Sequence, residues 1–148
     1  EAQFEFLRQV QAKFDDVQKT VKDIRSLRAQ MTDFVSRQGA DCPAEVKAMA
    51  DSIGKRITAV EEKLHQTKAK SGQDVLNYPI RINDKLSGVF DLANSGNMAP
   101  SRQAREVFAD LSAQADTELA RWKKVLDEDV PAFNRLVREK SMPVIRLK

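Results

Sequence analysis

A chain of 148 residues, 41% hydrophobic and 32% charged, carries enough apolar side chains to bury one continuous core, which excludes a disordered chain. Its 25 basic and 22 acidic residues leave a formal charge of +3, and acids interrupt the bases everywhere, which excludes the concentrated basic face of a nucleic-acid binder. Only five Gly and five Pro exclude a turn-rich β protein, one cysteine excludes an intrachain disulfide, and no run of about 18 apolar residues is present to span a membrane.

The first element is read from Leu7, Val10, Phe14, Val17, Val21, Ile24, Met31 and Val35. These apolar residues recur in steps of three and four, the spacing that returns to one helix face. Arg28 is the one polar residue where that series expects an apolar one. A helix over about 3–37 would be roughly 50 Å long and must be covered by partners. Gln38-Gly39-Ala40-Asp41-Cys42-Pro43 breaks the pattern, with Gly39 suited to a helix end and Pro43 to a new first turn.

The second stripe, Val46, Met49, Ile53, Ile57, Val60 and Leu64, predicts a helix over 43–71 that is antiparallel to the first because the connection is short. After an irregular stretch to Pro79, a shorter helix over 79–95 carries Ile82, Leu86, Val89, Phe90 and Ala93. Ser101 then caps a last helix over 101–140, with Ala104, Phe108, Leu111, Ala115, Leu119, Trp122 and Leu126 on its stripe. Pro131 falls inside the continuing pattern of Val130, Phe133, Leu136 and Val137, so it kinks or restarts that helix. The tail from Met142 to Lys148 is apolar but not helical, and reads as a strand-like arm or a segment that docks on a neighbour. The fold expected is all-α: a single antiparallel up-down-up-down four-helix bundle with a long first helix and a kinked last one. The start at Glu1-Ala2-Gln3, with neither an initiator Met nor a signal sequence, reads as a piece of a longer protein.

No constellation for chemistry emerges. His65, the one histidine, has no His or Cys at metal-ligand spacing and reads as a surface residue or a partner for the helix C-terminus. Cys42 has no base in local register. Lys63, Lys68 and Lys70 form the densest basic area and read as a solvated helix face. The acidic clusters Asp15-Asp16, Glu61-Glu62 and Asp127-Glu128-Asp129 are placed on the polar side of each stripe. There is no Gly-rich phosphate loop and no Cys-x-x-Cys, so no catalytic, cofactor-binding or metal residue is assigned. Phe14, Ile57, Phe108 and Trp122 are expected in the core.

One stretch departs from generic helix sequence. Leu76-Asn77-Tyr78-Pro79-Ile80-Arg81-Ile82-Asn83-Asp84-Lys85-Leu86 reads either as a specific junction or as a partner-binding surface. Together with Ala99-Pro100-Ser101, Glu106-Val107-Phe108 and Leu111, it resembles the C-terminal helical region of large exported bacterial proteins that carry sortilin-like β-propellers. Those proteins are often described as glycosyl-hydrolase or neuraminidase-repeat proteins. Ile24-Arg25-Ser26-Leu27-Arg28 and Val130-Pro131-Ala132-Phe133-Asn134 also look like that region, and the distinctive part of the likeness spans residues 76–136. The resemblance implies an extracytoplasmic location and a terminal domain without the propellers or any glycosidase acids.

The function expected is that of a non-catalytic structural or interaction domain, packing on the other domains of its parent protein or associating with itself. Asn77, Tyr78, Arg81, Val144 and Ile145 are the expected partner contacts, and no cofactor is expected. The competing reading is a free-standing bundle that binds a small ligand or a signalling partner.

Overall fold

The computed structural model describes residues 2–67, 80–95 and 99–147, and these residues form helices with no strand. Helix α1 spans Ala2–Gln38. Its buried apolar residues, Phe6, Val10, Val17, Val21, Ile24 and Met31, lie on one seam. The seam starts one residue earlier than the periodicity predicts, with Phe6 rather than Leu7 facing the core. A 3-10 turn over Gly39–Asp41 closes α1, with Gly39 at φ +60, the left-handed conformation that glycine adopts without a Cβ clash. Pro43 follows as the residue just before α2, Ala44–Leu64, and its carbonyl accepts from the N–H groups of Val46 and Lys47.

Helix α2 stops at Leu64, not near residue 71. His65 is extended, at φ −143 and ψ 138, and its N–H closes the last turn onto the Glu61 carbonyl at 2.8 Å. The physical reason is visible in the sequence. Leu64 is the last apolar residue of the stripe, so a continuation through Gln66, Thr67 and Lys68 would have no face to bury. Helix α3 spans Ile82–Asn94, three residues later than its expected start at residue 79. Residues 68–71 and Pro79, which the expected helices included, lie outside the described residues.

Helix α4, Arg102–Lys124, is capped as expected, the Ser101 hydroxyl accepting from the Ala104 N–H at 3.0 Å. It runs through a π-helical turn, Val125–Asp129, into α5, Val130–Glu139. The wide turn is the form the proline kink takes. Pro131 has no N–H to give, and its ring would clash with the carbonyl four residues back. One residue earlier, the Val130 N–H already reaches past its usual acceptor to the Val125 carbonyl.

The all-α bundle with a long first helix and a kinked last one is what the structure shows, but its helices do not alternate strictly up-down-up-down. Gln3 Nε2 donates to the Ala93 carbonyl, Gln18 meets Asn83, and Arg28 meets Thr58 and Glu61. Helices α2 and α3 therefore follow one another along α1, both antiparallel to it. The α4–α5 rod returns parallel to α1, as Phe6 against Phe108, Lys13 against Asp116 and Phe34 against Phe133 demonstrate. Among the described residues three rods meet along the molecule, with the middle rod divided between α2 and α3.

Ile24, Ile53, Ile57, Leu64 and Leu86 are fully buried at the centre, and Trp122 is buried beside them. Phe14 and Phe108 depart from expectation: both are only half-buried, packed against the core from its edge. Three rods enclose a narrower core than four, so residues flanking the seam keep one side in solvent. Ile57→Ala is expected to cost about 2–5 kcal/mol and Phe14→Ala less, about 1–3 kcal/mol, in urea unfolding. A larger loss at Phe14 than at Ile57 would contradict this placement of the seam.

Candidate functional site

The division of the middle rod creates a polar junction. Asn83, in the first turn of α3, is buried, and its Oδ1 accepts from the Asp84 N–H at 2.8 Å. A backbone N–H can only donate, so this bond fixes the amide orientation. The Asn83 Nδ2 then faces Gln18 Oε1 at 3.2 Å and His65 Nδ1 at 2.7 Å. Both of its protons are used, and His65 Nδ1 must accept, which places the imidazole proton on Nε2. His65 is thus half-buried and ties the end of α2 to the start of α3, rather than lying free on the surface.

One turn below, Glu61 corrects a second expectation. Its residue type puts it on the polar side of the stripe, yet it is 4% exposed. It sits four residues after Ile57 and three before Leu64, both core positions, so helix geometry turns it inward. Arg28 Nη2 donates to Glu61 Oε1 at 2.6 Å and to Thr58 Oγ1 at 3.1 Å, and Arg25 Nε donates to Glu61 Oε2 at 3.0 Å. Arg28, the polar interruption of the first stripe, is therefore the partner of a buried acid. Burial alone would raise the Glu61 carboxyl, but the hydrogen bonds and positive charges of Arg28 and Arg25 outweigh it and hold the group below the ordinary carboxylate range.

The described residues expected as partner contacts fall into two separate places. Arg81 is exposed at the start of α3 and lines a cleft with Lys63, Lys85, Arg121 and Glu118. Val144 and Ile145 are exposed at the opposite end of α2, roughly 30 Å away by helix rise. Asn77 and Tyr78 lie outside the described residues.

The tail is held by Gln38, a buried residue. Gln38 Nε2 donates to the Pro143 carbonyl at 3.1 Å, and its Oε1 accepts from Arg146 Nη1 at 3.3 Å. Arg146 also pairs with Asp41 in the turn after α1. Pinned at these points, the tail leaves Val144, Ile145 and Leu147 at 72%, 84% and 92% exposure.

Two open grooves flank the rods, one between α1 and α2 around Met31, Val35, Ala50 and Gly54, the other between α3 and α4 around Leu92 and Val107. Among the described residues no group of three or more His, Cys, Asp or Glu side chains could hold a metal ion, and no helix is long and apolar enough to cross a membrane. Cys42 is half-buried, its Sγ 3.7 Å from the Pro43 carbonyl. Comparison with protein-family models, curated proteins and solved structures returned no match to this chain.

Two outcomes follow. The folded Glu61 carboxyl lies below its ordinary value, so its stabilisation is complete above that value and is lost as pH falls toward the folded one. Glu61→Gln should lower stability by about 1–3 kcal/mol at neutral pH and flatten the acid side of the stability curve. An unchanged acid slope would show that the two arginines do not hold the charge. Separately, His65→Ala should speed amide hydrogen exchange in the first turn of α3 while leaving the first two turns of α1 unaltered. Equal protection of α3 in both proteins would mean that His65 does not brace the junction.

Proposed function

We propose that this chain is a non-catalytic helical interaction domain, one that packs on or oligomerises a larger exported protein of the β-propeller type that residues 76–136 resemble. The observation that supports this reading most is the tail. Val144, Ile145 and Leu147 present apolar side chains to solvent from a segment tied down by Gln38 and Arg146. Exposed apolar residues on a fixed backbone lose little conformational freedom when a partner covers them, which favours docking. Leu92 and Val107 beside the α3–α4 groove offer a second apolar strip on another part of the rod. An extracytoplasmic location is part of the proposal and rests on the resemblance.

A second reading, a helical bundle that takes a small ligand, is favoured by one feature, the basic cleft around Arg81 with the buried Glu118 in its wall.

Sedimentation equilibrium across a concentration series tests the self-associating form of the proposal. The expected result is concentration-dependent association that Val144→Asp combined with Ile145→Asp abolishes. Because both side chains are exposed, the double variant should melt within about 2 °C of the parent chain. A monomer at every concentration would remove oligomerisation and leave docking on a partner domain as the form to test.

A further inference from the structure

We propose that the tail of one copy of this chain docks in the groove between α3 and α4 of a second copy. The inference rests on the docking role proposed for the tail and names the surface that receives it. The groove has a volume of about 630 Å³. Asp84, Gly88 and Leu92, one helical turn apart on α3, line one side, and Val107 and Asp110 of α4 line the other. Leu92 and Val107 are exposed, while Val89 and Leu111, which also line the groove, belong to the core.

Gly88 marks the place where a second backbone fits. A glycine inside a helix costs stability relative to most other residues, because it adds backbone freedom to the unfolded chain. The packing of this chain gives no reason for that cost: a Cβ at Gly88 would meet no atom within 4 Å. The fold accepts a side chain there, whereas an extended segment lying against α3 would be pushed away by one. Charge points to the same occupant. Asp84, Glu106 and Asp110 line the groove against Lys85, while residues 130–147 carry Arg135, Arg138, Lys140 and Arg146 against Glu139.

The tail cannot fill the groove of its own molecule. It is held beside Gln38, whereas α3 meets α1 from Gln18 to Gln3. By helix rise the groove therefore lies roughly 30–50 Å along α1 from Gln38. The four residues from Val144 to Leu147 reach at most roughly 14 Å from their anchor. Tail and groove are unlike surfaces, so each contact is heterologous, and every copy offers one of each.

A mixing experiment with two variants of the whole chain tests this in the analytical ultracentrifuge. One carries Val144→Asp with Ile145→Asp and keeps its groove; the other carries Gly88→Gln with Leu92→Gln and keeps its tail. All four positions are exposed, so both variants should melt within about 2 °C of the parent chain. Each alone is expected to need a concentration about tenfold or more above the parent's to associate. Mixed in equal amounts, they should pair, the tail of one seated in the groove of the other. A mixture that stays monomeric where the parent associates would overturn the pairing of tail with groove. Unchanged association of the groove variant would also overturn it, while leaving the tail as a docking element that seats elsewhere. A parent chain that is monomeric at every concentration would overturn it too, and leave the tail to dock on a different domain.

Discussion

The structure depends on one constraint, the length of the apolar seam on α1. Thirty-seven helical residues extend over roughly 55 Å, and the apolar seam runs from Phe6 to Met31, interrupted at Arg28, which pairs with Glu61. Helix α2, with 21 residues, covers roughly 31 Å of that length. The remainder would lie bare beside α2, and the chain resolves this by laying α3 in line with α2 over the first half of α1. The α4–α5 rod then spans both segments and joins them from the third side.

The polar features follow from that arrangement. Where the middle rod is divided, helix ends meet in the interior, and their polar groups need partners away from bulk water. Asn83 is the hub of that repair, bound at once to Gln18, His65 and the Asp84 N–H. Glu61 and its two arginines close the next layer, so the centre of the rod is stitched by hydrogen bonds where its apolar seam alone would permit sliding. At the far end Gln38 plays a similar part for the tail. A bundle of long apolar stripes has few features that fix register, and these buried polar contacts supply them.

Much of this was legible in the residues. Steps of three and four located every helix, Ser101 marked its cap, and Pro131 marked the break that the π turn realises. The end of α2 was harder to place, because Lys68, Ala69 and Lys70 are good helix formers and local propensity says nothing about an absent packing face. Phe14 and Phe108 sit on the stripe but at its edge, and periodicity locates a face without giving its width. The inward turn of Glu61 runs against its residue type, which places an acid on the polar side of a stripe. Its spacing of four residues from Ile57 and three from Leu64 is the signal that points inward. The interior pairing of Arg28 with Glu61 joins residues 33 positions apart, a long-range contact that no local pattern encodes.

The order of the rods is the claim on which the junction, its cleft and the tail all rest. Pulsed electron-resonance distances on a Cys42→Ser chain test it, with spin labels at the exposed positions Gln9 and Asp110 in one protein and Gln9 and Glu139 in another. With α4–α5 parallel to α1, the first distance is short and the second is longer by tens of ångströms, since 29 helical residues separate Asp110 from Glu139, roughly 44 Å. The reverse ordering, with Gln9 nearer Glu139 than Asp110, would contradict the account and restore a bundle of strictly alternating helices.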